Sequence, residues 1–99
     1  MFVAINRITA PAASAEHLER AFAHAGNLQG IPGFTSFQFL RCTREGDPLE
    51  YLAISQWETR TAFDAWTKSE SFRQAHQGAG GADAPAARLD TYETVETLH

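Results

Sequence analysis

A single cysteine stands in the 99 residues, and that scarcity closes several routes at once. One thiol forms neither an internal disulfide nor a cysteine-rich metal site. With no obvious base near it in sequence, Cys42 reads as a buried structural thiol. Basic residues are also few: eight Lys and Arg against twelve Asp and Glu, scattered along a chain of net charge −4. Nucleic-acid binding leaves a basic stripe, so no nucleic-acid partner is expected. No stretch approaches the roughly 18 apolar residues that cross a membrane, and no membrane association is expected. The opening MFVAINRIT is broken by Asn6 and Arg7 where a signal peptide would run on. A cytoplasmic protein is the expectation.

What is present suits one compact unit. The hydrophobic fraction of 43% and charged fraction of 20% are ordinary for a globular chain. This length holds one core, so residues 1–99 read as a single domain. A core so small gains from pairing with a second copy.

Patterning gives the element order. Phe2, Ala4, Asn6 and Ile8 share one face of a strand over 2–9. APAAS breaks it, and Ser14 is placed to cap a helix with Glu16 in its first turn. Leu18, Ala21, Phe22, Ala25 and Leu28 form its apolar stripe, which Gly30 and IPG (31–33) end. FTSFQFLR (34–41) and LEYLAISQWE (49–58) read as strands joined by a turn at REGDP (44–48). Thr59 can cap a second helix carrying Phe63 and Trp66. After a loop over 77–87, RLDTYETVE (88–96) is the last strand. The order β-α-β-β-α-β predicts an α+β, ferredoxin-like split βαβ fold. Its two helices cover one sheet face, and the uncovered apolar face predicts a homodimer, a dimeric α+β barrel.

Trp66 and His76 raise the question of a shared site. On an unbroken helix, positions 66 and 76 lie about 15 Å apart with side chains roughly 80° apart, too far for one small ligand. Ser69 with Glu70 behind it predicts a break, with a helix ending near Thr67 and restarting near Ser69. That break would let both rings face one pocket. Each residue also has a plainer reading. His76 suits a helix end, where the dipole favours it. Asn6, a poor strand former on an apolar face, suits a hydrogen bond to a neighbouring loop. Trp66, like Trp57 and Phe63, suits the core. The other histidines offer less: His17 and His24 stand about 10.5 Å apart along the helix, too far to share a metal ion, and His99 is terminal. GAGG (78–81) lacks the GK[ST] ending of a phosphate loop.

The strand with Asn6 at its middle, PGF (32–34), QWE (56–58), AFDAW (62–66) and SESFRQAH (69–76) together resemble the antibiotic-biosynthesis monooxygenase (ABM) family over nearly all of residues 2–96. The trio Asn6, Trp66 and His76 is similar to the Asn, Trp and His of its IsdG-type haem-degrading monooxygenases. That resemblance implies the following roles. His76 is the axial iron ligand, Trp66 presses on and ruffles the porphyrin, and Asn6 hydrogen-bonds to the distal iron ligand. Phe22, Phe63, Phe72 and Arg20 complete the haem-contacting set, and the 77–87 loop is a flap over the haem edge. Haem is both substrate and cofactor, and the ring is opened with dioxygen and an external electron donor, a reductase or a small reductant, with release of iron. Some such enzymes carry an arginine midway along the first helix, near the propionates. Here FAHAGN places His24 or Ala25 there, and Arg20, Arg7 or Arg73 is the available substitute.

Two further functions fit the same residues. A cofactor-independent monooxygenase of this fold would use His76 as a base on a quinol-like aromatic. A non-catalytic haem-binding dimer would use only the pocket.

Overall fold

The computed structural model describes residues 1–22, 28–69 and 86–98. In these residues the order is β1 (Phe2–Ala10), α1 (Ala15–Phe22), β2 (Phe34–Arg41), β3 (Leu49–Trp57), α2 (Arg60–Thr67) and β4 (Ala86–Glu93). The strands form one four-stranded sheet in the order β2-β3-β1-β4, every neighbouring pair antiparallel. This is the α+β ferredoxin-like arrangement that the pattern predicts.

Alternation along the two central strands builds the core. Phe2, Ala4, Ile8 and Ala10 of β1 and Tyr51, Ala53, Ser55 and Trp57 of β3 are buried on one face. Leu18 of α1 and Phe63 of α2 pack on that same face. Val3, Ile5, Leu52 and Ile54 project to the opposite, outer face and remain half-exposed. In β2 the pairing shifts between Phe34 and Ser36. Two residues there oppose one on the partner strand, as in a β-bulge, so Phe34 packs with Phe37 and Phe39 on the core side despite the odd spacing.

Several local expectations need correction. Ser14 does not directly cap a helix; Ala12–Ser14 forms a 3₁₀ turn closed by the Ser14 N–H on the Pro11 carbonyl, and α1 starts at Ala15. Ala21 is exposed, while Leu28 packs in a different part of the core from Leu18 and Phe22, so the expected stripe is not one seam. The last strand lies earlier than expected, because Phe2, at the start of β1, already pairs with Glu93 and leaves 94–96 no strand to pair with. Only the Thr94 N–H reaches further, to the Met1 carbonyl. Cys42 is half-buried rather than buried. Its N–H extends the β2–β3 hairpin onto the Glu50 carbonyl.

Candidate functional site

Small residues set the floor of the site. Asn6 lies opposite Ala53 of β3 and Leu89 of β4 in the sheet register. Along its own strand the next residues on this face are Ala4 and Ile8. Asn6 is half-buried among these apolar neighbours, and no side-chain hydrogen bond engages it among the described residues. Leu89 beside it is 52% exposed although it is on the helix side.

The core on this side is split in two. One cluster holds Phe2, Ala4, Leu28, Trp57 and Phe63, with Trp66 packed against it. The other holds Ile8, Ala10, Leu18 and Tyr51, with Phe22 and Phe39 packed against it. Neither includes Asn6 or Ala53. On the β2 side Phe22 and Phe37 bridge the clusters, with parallel rings 6.4 Å apart. Toward β4, Asn6 lies between Ala4 of the first cluster and Ile8 of the second, beside Leu89.

Each bordering side chain is held by its own element. Thr59 caps α2, its Oγ1 accepting from the Ala62 N–H at 3.1 Å. Phe63 and Trp66, three residues apart, then share one helical face. Trp66 lies 5.3 Å from the Trp57 ring and 6.1 Å from Phe63, half-buried. Phe63 is enclosed beneath it by Phe2 and Trp57. Trp57 itself is fully buried, its indole N–H donating to Ser55 Oγ at 2.9 Å. Trp57 and Phe63 are thus core residues, and Trp66 is the member of the group that reaches the core's edge.

The expected end of α2 at Thr67 is present. The Lys68 N–H turns back to the Ala65 and Trp66 carbonyls, and Ser69 donates from both its N–H (2.9 Å) and its Oγ (2.6 Å) to the Trp66 carbonyl. The restart beyond Ser69, with Glu70, Phe72, Arg73, His76 and most of the 77–87 loop, lies outside the described residues, as do His24, Ala25 and His99.

The charged candidates are spread out. Arg20 is exposed and pairs with Glu16 one turn earlier, at 2.8 Å. Arg7 follows Asn6 in β1 and so projects to the outer face, away from the helices. His17 is exposed on α1. The described residues hold no group of three or more His, Cys, Asp or Glu side chains able to bind a metal ion. None of the described helices is long and apolar enough to cross a membrane.

Three features escaped the sequence reading. Gly33 of PGF has φ +83°, and a Cβ there would stand 2.4 Å from Ala62 Cβ, so the turn lets α2 pack against it. Ala53 and Ser55 are small residues at the middle of the buried face of β3, between the bulky Tyr51 and Trp57, and Ala4 pairs beside Ser55. That size pattern in LEYLAISQW was the available signal. The third is a polar knot on α1: the Tyr51 hydroxyl donates to Glu19 Oε2 at 2.8 Å, and Arg41 Nη1 donates to the same oxygen at 3.1 Å. Burial first, and then the Glu19 carboxylate, raise the Tyr51 pKa above the ordinary tyrosine value.

Similar sequences and the same fold recur in other proteins. A haem oxygenase (staphylobilin-producing) from Staphylococcus haemolyticus is 31% identical over 96 residues, 97% of this chain and 92% of that protein. A haem oxygenase (mycobilin-producing) from Mycobacterium tuberculosis is 36% identical over 95 residues, 94% of this chain and 88% of that one. Among solved structures, the M. tuberculosis haem degrader MhuD, with two haems bound in its active site, superposes with a TM-score of 0.79 at 33% identity over all of both chains. The family model described as antibiotic biosynthesis monooxygenase matches residues 1–78, which run from β1 through α2 and past it. Taken with the β2-β3-β1-β4 sheet and its one-sided helices, that match means that the chain belongs to the antibiotic biosynthesis monooxygenase family.

Proposed function

We propose that this chain is a haem-degrading monooxygenase, an oxidoreductase that opens the porphyrin with dioxygen and reductant and releases its iron. The observation that carries the reading is the Asn6 amide, half-buried among the apolar neighbours Ala4, Ile8, Ala53 and Leu89 and bonded to no side chain among the described residues. Its relatives at 31% and 36% identity are haem oxygenases. A flat apolar ring suits the half-buried aromatic side chains of Trp66 and Phe22, which lie at the edges of the two core clusters on this face.

Haem is here the substrate, and its iron supplies the oxygen chemistry once reduced. The chain's own part is to bind and orient it. Asn6, half-buried among apolar neighbours, would offer its side-chain amide as a hydrogen-bond donor to the bound substrate. Trp66 presses on the ring from α2, with Phe63 and Trp57 behind it as a rigid backing. Phe22 of α1, stacked on Phe39, is a further aromatic contact. By resemblance, His76 would hold the haem iron and Phe72 would be a further contact. Arg20 anchors a propionate by exchanging Glu16 for it, a small cost because exposed pairs contribute little. Electrons come from an external reductase or small reductant, in the cytoplasm. A second copy covers the outer face at Val3, Ile5, Leu52 and Ile54, giving a homodimer.

The test is haem titration followed by aerobic turnover with a reductant and catalase. The expected result is a Soret band that His76→Ala abolishes, then loss of that band with iron appearing in a chelator assay. Binding without catalase-resistant bleaching would make the protein a haem binder only. Oxidation of a quinol without haem would favour the cofactor-independent reading.

A further inference from the structure

We propose that Tyr51 is a positioning residue for the haem site, fixing through Phe39 and Glu19 the face of α1 that carries Phe22. The proposal rests on the reading above that Phe22 contacts haem. Tyr51 lies on β3, 1% exposed, two residues from the floor residue Ala53. Its ring is parallel to Phe39, with centroids 5.0 Å apart and an interplanar angle of 3°. Phe39 in turn stacks on Phe22 at 4.2 Å and 7°. Three near-parallel rings thus run from the buried centre of the sheet to the last described residue of α1. Such a stack transmits position, because each ring can shift only by opening a gap beside its neighbour.

The other end of Tyr51 fixes the same helix. Its hydroxyl reaches Glu19, three residues before Phe22 and so on an adjoining part of the α1 surface. Arg41 of β2 holds the second side of that carboxylate oxygen. A carboxylate accepting from two donors on two strands is held more firmly than the exposed Glu16–Arg20 pair, both of whose members belong to α1. Without the hydroxyl, the helix is still seated by Leu18, but its rotation about that contact is less constrained. Phe22 would then move relative to Asn6.

The variants are Tyr51→Phe, which keeps the stack and removes the donor, Glu19→Ala, and Glu19→Gln, which keeps an acceptor. Aromatic proton NMR of the haem-free protein reads the Phe22 ring, whose resonances are displaced by stacking on Phe39. Soret titration reads haem affinity, and turnover at saturating haem reads chemistry. Tyr51→Phe and Glu19→Ala should shift or broaden the Phe22 resonances and weaken haem binding about tenfold, with saturated turnover within about threefold of wild type. Glu19→Gln should restore most of both. Unmoved Phe22 resonances in Tyr51→Phe would overturn the proposal. So would a lower melting temperature with unchanged haem affinity and spectrum. Should the wild type bind no haem, the reading of the site fails and the Phe22 resonances alone decide whether Tyr51 positions Phe22.

Discussion

Asn6 and Ala53 face each other across β1 and β3, and the alanine methyl can neither give nor receive the hydrogen bonds that the amide needs. The same is true of Leu89 on the other side. An asparagine at this place gains little from the fold, since it is a poor strand former beside apolar neighbours. Asn6→Ala is therefore expected to leave the melting temperature unchanged or slightly raised. Haem should still bind, because ligation does not require the amide. Degradation should fall by about 10²–10³, the usual cost of losing one donor aimed at developing oxygen charge. The three measurements on one preparation decide it. Normal turnover with a lowered melting temperature would take Asn6 out of the chemistry and give it a structural role.

Trp66 can be separated from the core it touches. Trp57 and Phe63 back it, so Trp66→Phe keeps an aromatic ring on that surface and costs less than truncation to alanine. Haem should remain bound with a shifted visible spectrum and slower turnover, because the smaller ring presses less on the porphyrin. A spectrum and rate equal to those of the wild type, with a lower melting temperature, would place Trp66 wholly in the core.

Much of the fold was legible because period-two patterning in β1 and β3 is strong enough to override their single polar interruptions. FTSFQFLR coincides with β2 for that reason, and LEYLAISQWE (49–58) runs one residue past β3. The β2 bulge was not legible, since nothing in FTSF marks two residues opposing one. The end of β4 depends on where β1 begins, a tertiary fact absent from RLDTYETVE itself. Of the candidate site, Asn6 was legible as an anomaly of type and Trp66 through its helical spacing to Phe63. The Tyr51–Glu19–Arg41 knot joins residues far apart in sequence, and no local pattern announces it.

Gly33 carries two demands that a substitution can separate from those on Gly30. Both glycines have positive φ, +83° and +86°, but a Cβ on Gly30 meets nothing within 4 Å whereas one on Gly33 meets Ala62. Gly30→Ala should cost about 1–2 kcal/mol, the backbone penalty alone. Gly33→Ala adds overpacking against α2 and should cost roughly 2–5 kcal/mol in all. For a domain of this size that corresponds to a fall of about 10–25 °C in melting temperature. Haem binding by the surviving folded protein should weaken too, since a displaced α2 carries Trp66 with it. Equal melting temperatures for the two variants would mean that α2 yields freely at Ala62.

The Tyr51 hydroxyl gives the fold an alkaline limit. Burial, and then the Glu19 carboxylate beside it, disfavour the phenolate and raise the pKa in the folded protein, while Arg41 acts in the opposite sense and less strongly. In the unfolded chain the same group ionises near the ordinary value of about 10. Above that pH the unfolded state has lost a proton that the folded state keeps, so stability falls as pH rises. The contribution is complete below pH 10 and disappears as pH climbs through the raised folded value. Tyr51→Phe cannot ionise and lacks the hydroxyl's bond to Glu19. It should be less stable than wild type at pH 8 by about 1–3 kcal/mol, with the gap narrowing steadily above pH 10. Urea unfolding midpoints at half-unit steps from pH 8 to pH 11.5 would measure this directly. A gap that stays constant over that range would mean that Tyr51 ionises alike in both states, and that its hydroxyl is not desolvated as the geometry requires.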